Sequence, residues 1–248
     1  MIPARYNSTR FPGKPLYPLK GIPLIKHVYD NSKLSRLADD VLVATDSEEI
    51  LKKVHSFGGK AVMTDKRHSS GTDRIAEVAA SMNCDIIVNV QADEPLIRPQ
   101  MIDDVITILH DRRADIGTLT RKIEDLDEIL DPNVVKVVFD KEHFAIYFSR
   151  APIPYYRDKW KSISEIRDSK FEILNFYKHV GIYSYRREAL LSFAGMPQTE
   201  LEKTEKLEQL RALENGMKIK VKETPFTTYG VDTPVDLERI EKCLSTSL

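Results

Sequence analysis

Two short apolar runs of this sequence end abruptly in an aspartate. Asp93 ends the run in residues 85–95 (DIIVNVQADEP), and Asp232 ends the run in residues 229–234 (YGVDTP). An aspartate at the carboxyl end of a buried strand lies where open α/β sheets bind their ligands. Two such carboxylates favour a hard divalent cation such as Mg²⁺, which takes few protein ligands and completes its shell with phosphate oxygens. Each aspartate alone is equally consistent with a turn or a helix cap.

A cationic segment at the start of the chain is the second feature that could bind a ligand or take part in catalysis. Residues 3–15 (PARYNSTRFPGKP) contain Arg5, Arg10 and Lys14 together with small residues and a Pro-Gly turn. Such a loop after a strand can wrap a triphosphate, because backbone N–H groups and fixed cations meet the phosphate oxygens. It matches neither the Walker A motif nor GxGxxG. The alternative is a solvated basic turn.

The composition is that of an ordinary globular protein. The 248 residues are 42% hydrophobic and 30% charged, and the net charge is −1. A chain so nearly neutral has no overall field that would draw it to nucleic acid or membrane. Cys84 and Cys243 are far apart and form no CxxC pair, which favours a reducing compartment over a disulfide framework or a zinc site. We expect a soluble cytoplasmic protein, because the sequence shows neither a signal peptide nor a transmembrane run.

The elements that must position these groups alternate between strand and helix in the first half. Residues 41–45, 60–64 and 85–90 are short, continuous and rich in β-branched residues, as in strands buried on both faces. Residues 101–110 carry apolar side chains at helical spacing. Repeated strand–helix–strand units predict an α/β fold with a Rossmann-like, doubly wound, mostly parallel sheet.

The pattern changes after residue 116. Longer strands are predicted at 116–123, 134–140, 144–149 and 179–185, which indicates mixed or antiparallel additions to the sheet. Helices are predicted at about 200–215, ended by Gly216, and at about 234–244. Residues 155–176 are predicted to form an excursion or loop, in which Trp160 either covers the site or packs on a neighbour.

The beginning of the chain is unusual for this architecture. Only Met1 and Ile2 precede Pro3, whereas a strand needs about five residues. Either a few N-terminal residues are missing from this sequence or the first strand is a stub. A truncated strand would leave a groove beside the loop of residues 3–15, and the chain would then be less stable or less active than an N-terminally extended one.

Eight segments, taken together, resemble one family. In order they are residues 3–16 (PARYNSTRFPGKPL), 70–74 (SGTDR), 91–95 (QADEP), 135–138 (VKVV), 148–154 (FSRAPIP), 177–183 (YKHVGIY), 207–211 (LEQLR) and 230–234 (GVDTP). This set is similar to the 3-deoxy-manno-octulosonate cytidylyltransferases, and the similarity runs from residue 2 almost to the end. The opening loop (residues 3–15) alone would indicate nucleotide-sugar transferases in general. The eight segments together indicate this one family much more specifically.

The resemblance implies a fold, a reaction and an assembly. The fold would be a single domain of the nucleotide-diphospho-sugar transferase type over residues 1–248. Residues 1–114 would form its nucleotide-binding part, and 115–248 a smaller mixed-strand part for sugar binding and dimerisation. The reaction would join CMP from CTP to 3-deoxy-manno-octulosonate (Kdo), releasing pyrophosphate, in the presence of Mg²⁺. The product would serve lipopolysaccharide biosynthesis, and the enzyme would be a homodimer.

The resemblance also assigns roles to individual residues. Arg5, Arg10, Lys14 and Asp93 are expected to be catalytic, with the cations neutralising the leaving pyrophosphate and Asp93 and Asp232 holding the metal. Nucleotide contacts are expected from Ser8, Ser70, Gly71, Arg74 and Gln91. Sugar contacts are expected from Arg150, His179, Tyr183, Glu208 and Gln209. The residue chemistry alone leaves plainer alternatives open. These are a helix capped by Thr72 or Asp73, satisfied sheet residues at 179 and 183, and a solvated helix surface at 208 and 209.

The chain departs from the family pattern at Ala92, where glycine is usual. A methyl group there is harmful only if the backbone has a positive φ or approaches the substrate closely. Two other functions are compatible with the residues. One is a cytidylyltransferase for a related acid, such as 8-amino-Kdo or a nine-carbon acid. The other is a non-catalytic nucleotide-binding protein.

Overall fold

The computed structural model describes residues 1–7, 11–157, 160, 175–231, 233, 235–238 and 240–241. Its strands are β1 (Ile2–Ala4), β2 (Pro18–Leu19), β3 (Ile22–Pro23), β4 (Val43–Thr45), β5 (Ala61–Met63), β6 (Ile86–Asn89), β7 (Ile116–Lys122), β8 (Lys136–Phe139), β9 (Ala145–Ser149), β10 (Tyr177–Arg186) and β11 (Ile219–Glu223). Its helices are α1 (Leu24–Lys33), α2 (Glu48–Ser56), α3 (Gly71–Ala80), α4 (Pro99–Ile108), α5 (Leu126–Leu130), α6 (Arg187–Ala194), α7 (Glu200–Glu205) and α8 (Gln209–Glu214). Residues 235–238 and 240–241 are also helical.

The strands form the α/β architecture that the sequence predicted. In the first half β1, β4 and β5 are parallel, in the order β1-β4-β5. In the second half β10 pairs antiparallel with β6, β7 and β8, while β11 is parallel to β7. The two sets meet where the Val90 N–H donates to Met1 O at 3.0 Å. The parallel first half and the mixed second half are both confirmed.

The short strands are apolar throughout because both faces of the sheet are covered. In β4, Val43 belongs to a core that also contains Ile25 of α1 and Met101 of α4. The next residue, Ala44, belongs to a second core with Ile75 of α3. Successive residues of a strand point to opposite faces, so a strand between two helical layers needs no polar alternation.

The predicted helix over 200–215 is wrong, since the structure has two short helices there. α7 ends at Lys206, which adopts a left-handed φ of 54°. The guanidinium of Arg150 donates to the carbonyl oxygens of Glu205 at 2.6 Å and Lys206 at 3.4 Å. These helix-end carbonyls are therefore bound by the side chain of Arg150, which directly follows β9, and the chain turns before α8 begins. Gly216 has a φ of 77° after α8, as predicted for a residue that follows a helix.

Trp160 packs on neighbouring aromatic residues. Its side chain is buried in a cluster with Ile123, Ile129 and Phe176, and its ring centroid lies 5.4 Å from that of Phe176. The other residues of the predicted excursion that the structure describes are 155–157 and 175–176. No helix in the described part of the chain is long and apolar enough to cross a membrane.

A cavity adjoins Met1 at the amino end of β1. Its volume is about 490 Å³, and its other walls include Leu42, Cys84 and Ile86, at the amino ends of β4 and β6. The opening loop instead follows the carboxyl end of β1. The cavity and the loop are therefore at opposite ends of the strands.

Candidate active site

The opening loop is closed by a backbone hydrogen bond across its base. The N–H of Gly13 donates to Tyr6 O at 2.9 Å, and Gly13 has a φ of 71°, which a residue with a side chain rarely adopts. A short 3₁₀ helix, Lys14–Leu16, follows directly. Arg5 is exposed at the end of β1. Ser8 and Arg10 lie outside the described residues, so their expected roles stay predictions.

Lys14 joins the opening loop to the two aspartate segments. Its Nζ donates to Asp93 Oδ2 at 2.6 Å and to Val231 O at 2.6 Å. The N–H of Val231 in turn donates to Asp93 O at 2.9 Å. Asp232 itself lies outside the described residues. Its neighbour Val231 is nevertheless fixed beside Asp93, although the two segments are far apart in sequence.

A cavity of about 250 Å³ opens around this pair. Its walls include the described residues that were predicted for the phosphate and nucleotide side, which are Arg5, Lys14, Ser70, Gly71, Arg74, Gln91 and Asp93. Ala92 also lines it and is absent from the described non-glycine residues with positive φ, so its methyl group causes no backbone strain. The structure thus brings the predicted phosphate and nucleotide residues to one place.

The SGTDR segment begins helix α3 at the wall of this cavity. Ser70 is the N-cap: its Oγ accepts from the N–H of Asp73 at 3.0 Å, and Asp73 Oδ2 accepts from the N–H of Ser70 at 3.2 Å. The capping residue is therefore Ser70 and not Thr72 or Asp73, with Asp73 completing a capping box. Gly71 lies so close to β1 that an added Cβ would stand 3.0 Å from Pro3 Cγ.

Arg74 contacts protein groups at the cavity wall. It is 2% exposed, and its Nη2 donates to Asp46 Oδ2 at 2.8 Å. Its Nη1 donates to Thr64 Oγ1 at 2.5 Å. The guanidinium therefore holds the strand end after β4 against α3, in addition to any contact with a nucleotide.

His68 is a cavity residue that sequence reasoning missed. Its Nε2 is hydrogen-bonded to Glu77 of α3, and the carboxylate of Glu77 also accepts from the N–H of Asp65 at 2.9 Å. These hydrogen bonds lower the pKa of Glu77. The only available signal was the position of His68, two residues before the SGTDR segment.

Three of the residues expected on the sugar side lie on β10 or next to α3, namely His179, Tyr183 and Glu208. The rings of His179 and Tyr183 lie 5.2 Å apart. Burial lowers the pKa of His179 to about 4, and burial together with the nearby charge of Glu208 raises the pKa of Tyr183. Glu208 Oε2 accepts from Thr72 Oγ1 at 2.6 Å. Glu208, which is expected on the sugar side, therefore contacts Thr72 of the SGTDR segment, which is expected on the nucleotide side.

Glu208 and Gln209 are not part of a solvated helix surface. Gln209 is 7% exposed at the start of α8, and the side chain of Glu208 is 31% exposed. Burial raises the pKa of Glu208, with hydrogen bonds from Thr72 and Ser70 acting in the opposite direction. A half-buried carboxyl group of this kind is typical of a functional site.

Arg150 contacts main-chain carbonyl groups. Besides its bonds to residues 205 and 206, its Nη1 donates to Pro132 O at 2.8 Å. The N–H of Arg150 donates to Glu205 Oε2 at 2.9 Å. In this structure Arg150 thus holds the turn between α7 and α8, and the expected contact with a sugar carboxylate stays a prediction.

Comparisons with known proteins identify the family of this chain. A cytidylyltransferase family model matches residues 1–219. The 3-deoxy-manno-octulosonate cytidylyltransferase of Thermodesulfovibrio yellowstonii is 51% identical over 99% of this chain and 97% of that protein. The protein of the same name from Geotalea uraniireducens is 54% identical over 97% of this chain and 96% of its own length.

Solved structures show the same similarity. The structure of a CMP:2-keto-3-deoxy-manno-octonic acid synthetase complexed with CTP superposes with a TM-score of 0.90 at 40% identity, covering 100% of this chain and 98% of that one. A 4-diphosphocytidyl-2C-methyl-D-erythritol synthase from Anaerococcus prevotii, at 11% identity and a TM-score of 0.62 with 98% and 97% covered, shares the fold alone. With a family model over most of its length and relatives above half identity, this chain belongs to the 3-deoxy-manno-octulosonate cytidylyltransferase family of cytidylyltransferases.

Proposed function

We propose that this chain transfers CMP from CTP to 3-deoxy-manno-octulosonate, giving CMP-Kdo and pyrophosphate. The anomeric hydroxyl of the sugar attacks the α-phosphorus, a new P–O bond forms, and the bond to the leaving pyrophosphate breaks. The observation that carries this proposal is the Lys14–Asp93 pair, 2.6 Å long, in a cavity at the carboxyl ends of the strands. Membership in the family supports it.

The chain's own residues meet the needs of an in-line transfer. Such a reaction depends on positioning and on neutralising charge more than on covalent participation by the protein. Arg5 and Lys14 line the cavity, and with Arg10 they neutralise the triphosphate and the leaving pyrophosphate. Ser70, Gly71, Arg74 and Gln91, which line the cavity, are the proposed contacts to the nucleotide together with Ser8.

The donor set at Asp93 fits a Mg²⁺ ion. Among the described residues no three of His, Cys, Asp and Glu lie close enough to form an all-protein metal cage. Mg²⁺ does not require one, because it is usually bound by one or two carboxylates together with substrate phosphates. Asp93 and Asp232 would hold the ion. When bound, it polarises phosphoryl oxygens and lowers the pKa of the attacking hydroxyl.

The residues proposed for the sugar site match the polar groups of Kdo. Kdo carries one carboxylate and several hydroxyl groups, so its site needs both cations and groups that read hydroxyls. His179, Tyr183, Glu208 and Gln209 supply the second kind, and Arg150 is the cation assigned to the carboxylate. We propose that residues 1–114 bind the nucleotide, that residues 115–248 bind the sugar and form a homodimer, and that the cytoplasmic product feeds lipopolysaccharide biosynthesis.

The test is pyrophosphate release from CTP with Kdo, 8-amino-Kdo and nine-carbon sugar acids as acceptors. The proposal requires Kdo to be the preferred acceptor. Pyrophosphate release with only another acid would identify that acid as the substrate. No release with any acid would indicate a non-catalytic nucleotide-binding protein.

Asp93→Asn tests the site itself. We expect it to abolish turnover and leave the thermal midpoint nearly unchanged, because Asn can still accept a hydrogen bond from Lys14. Asp40→Asn is the matched control, since Asp40 pairs with Lys60 at the same 2.6 Å on the surface. Substantial turnover by Asp93→Asn would remove Asp93 from the proposed role.

A further inference from the structure

A β-bulge in β10 lies against a buried threonine. β10 and β7 pair in regular antiparallel register except for a shift between Val180 and Tyr183. Thr118 of β7 lies at this shift, with its residue 0% exposed. Its Oγ1 is 2.7 Å from Ile182 O, 3.2 Å from Val180 O and 3.0 Å from His179 Nε2.

The hydrogen-bond donors and acceptors around the Thr118 hydroxyl group can be counted. A threonine hydroxyl has one proton to donate and two lone pairs, whereas a backbone carbonyl can only accept. The hydroxyl proton is therefore directed to a carbonyl, and the shorter distance selects Ile182 O. His179 must then be the donor in its bond to Thr118 Oγ1, so Nε2 carries the proton.

The count also determines the chemistry of the other ring nitrogen. A neutral imidazole has one N–H and one acceptor nitrogen, so a proton on Nε2 leaves a lone pair on Nδ1. Burial favours the neutral ring, as the lowered pKa of His179 indicates. Two aromatic rings pack near the imidazole: Phe148 at 82° to it with centroids 5.2 Å apart, and Tyr183 with centroids 5.2 Å apart.

The described residues provide no partner for Nδ1, although Nε2 is satisfied. His179 lines a polar cavity of about 350 Å³, together with Arg121, Lys178, Thr228 and Tyr229. Two residues along the same strand, an added Cβ at Gly181 would meet nothing within 4 Å. There is therefore room beside His179 for a ligand that donates a hydrogen bond.

We propose that Thr118 is a positioning residue, which fixes His179 as the Nε2–H tautomer so that Nδ1 accepts a hydrogen bond from a hydroxyl group of the sugar acid. This inference rests on the proposed function for the identity of the ligand. It excludes His179 as a partner of the sugar carboxylate, because a neutral acceptor nitrogen repels a carboxylate. A cationic side chain must then bind that carboxylate.

The first experiment reads the tautomer directly in the unliganded protein. Long-range ¹H–¹⁵N correlation spectra at pH 7 distinguish protonated from unprotonated ring nitrogens, and the spectrum of His179→Gln assigns the signals of His179. We expect a protonated Nε2 and an unprotonated Nδ1. A protonated Nδ1, alone or in an imidazolium, overturns the proposal. This readout does not depend on activity, so its failure is distinguishable from a failure of the wild-type chain to form CMP-Kdo.

The second experiment removes the hydroxyl group. Thr118→Val keeps the shape and should mix the two tautomers, raise the KM for Kdo about tenfold, and change the KM for CTP little, as expected for one lost hydrogen bond. Thr118→Ser is the matched control and should retain the wild-type tautomer and KM. If Thr118→Val fails to fold, Thr118→Cys replaces it, because a thiol is a weak donor and acceptor. A folded variant without the hydroxyl that keeps the wild-type tautomer overturns the proposal.

Discussion

A buried ion pair between α7 and α8 allows a quantitative test of the fold. Arg211 of α8 donates from Nε to Glu202 Oε2 at 2.8 Å and from Nη2 to Glu202 Oε1 at 2.6 Å. The two side chains are 6% and 7% exposed. The guanidinium also lies 4.8 Å from the ring centroid of Phe193. Glu202→Gln keeps the shape of this contact and leaves Arg211 without its main countercharge.

The expected loss of stability follows from this burial. Removing one partner of a buried ion pair costs about 3–5 kcal/mol, because the remaining charge stays desolvated. We expect the lower end, since Glu208 Oε1 lies 3.7 Å from Arg211 Nη2 and compensates in part. For a domain of this size each kcal/mol shifts Tm by about 2–4 °C. Glu202→Gln should therefore lower Tm by about 6–12 °C.

Helix α7 also provides the control. Glu200 pairs with Lys203 at 2.9 Å, but these side chains are 87% and 49% exposed. An exposed pair contributes at most about 1 kcal/mol, so Glu200→Gln should change Tm by a few degrees at most. Thermal and urea unfolding at pH 7 would measure both variants. An effect of Glu202→Gln no larger than that of Glu200→Gln would refute the reasoning.

Three further predictions concern the site. Glu208→Gln should raise the KM for Kdo while leaving Tm unchanged or higher, because burial disfavours the charged carboxylate; a marked loss of Tm would contradict this. The pKa of His179 is about 4 in the folded chain and 6.5 as a free side chain, so the unfolded chain binds the proton first as pH falls. Folding stability should therefore decrease between pH 6.5 and 4, and His179→Gln should reduce this slope in urea titrations at pH 7 and pH 5. Gly71→Ala should raise the KM for CTP, since the added Cβ meets Pro3 Cγ at 3.0 Å; an unchanged KM would show that α3 shifts freely.

The fold was predictable where its elements are local. Short β-branched runs and helical spacing identified β4, β5, β6 and α4, because burial on both faces of a parallel sheet leaves a clear pattern. The break between α7 and α8 was not predictable in this way. Its cause is Arg150, which binds the carbonyls at the turn although it lies more than fifty positions earlier in the chain.

The same distinction between local patterns and long-range contacts applies to the candidate site. The sequence placed Asp93 after a strand and Lys14 in the cationic loop of residues 3–15, and both line the cavity at the carboxyl ends of the strands. Their direct contact depends on the packing of the opening loop against the segment at Val231, which no spacing encodes. The partners of Arg74 and the inclusion of His68 were hidden for the same reason, since long side chains find their partners only after the strands are in register.

Several of the segments that resemble the family converge on the turn between α7 and α8. Ser149 Oγ donates to Glu205 Oε1 at 2.6 Å, next to the contacts that Arg150 makes with the same turn. Lys136 of the VKVV segment is fully buried and donates to Asp131 O at 2.9 Å and Val134 O at 2.6 Å.

Burying a cation is unfavourable unless hydrogen bonds replace its lost hydration, and the carbonyls of Asp131 and Val134 supply them for Lys136. Arg150 connects residues 131–134 with the turn between α7 and α8, because it donates to Pro132 O and to Glu205 O. This turn delivers Glu208 to Thr72. Lys136, Ser149 and Arg150 thus help to fix the position of the Glu208 carboxylate beside Thr72.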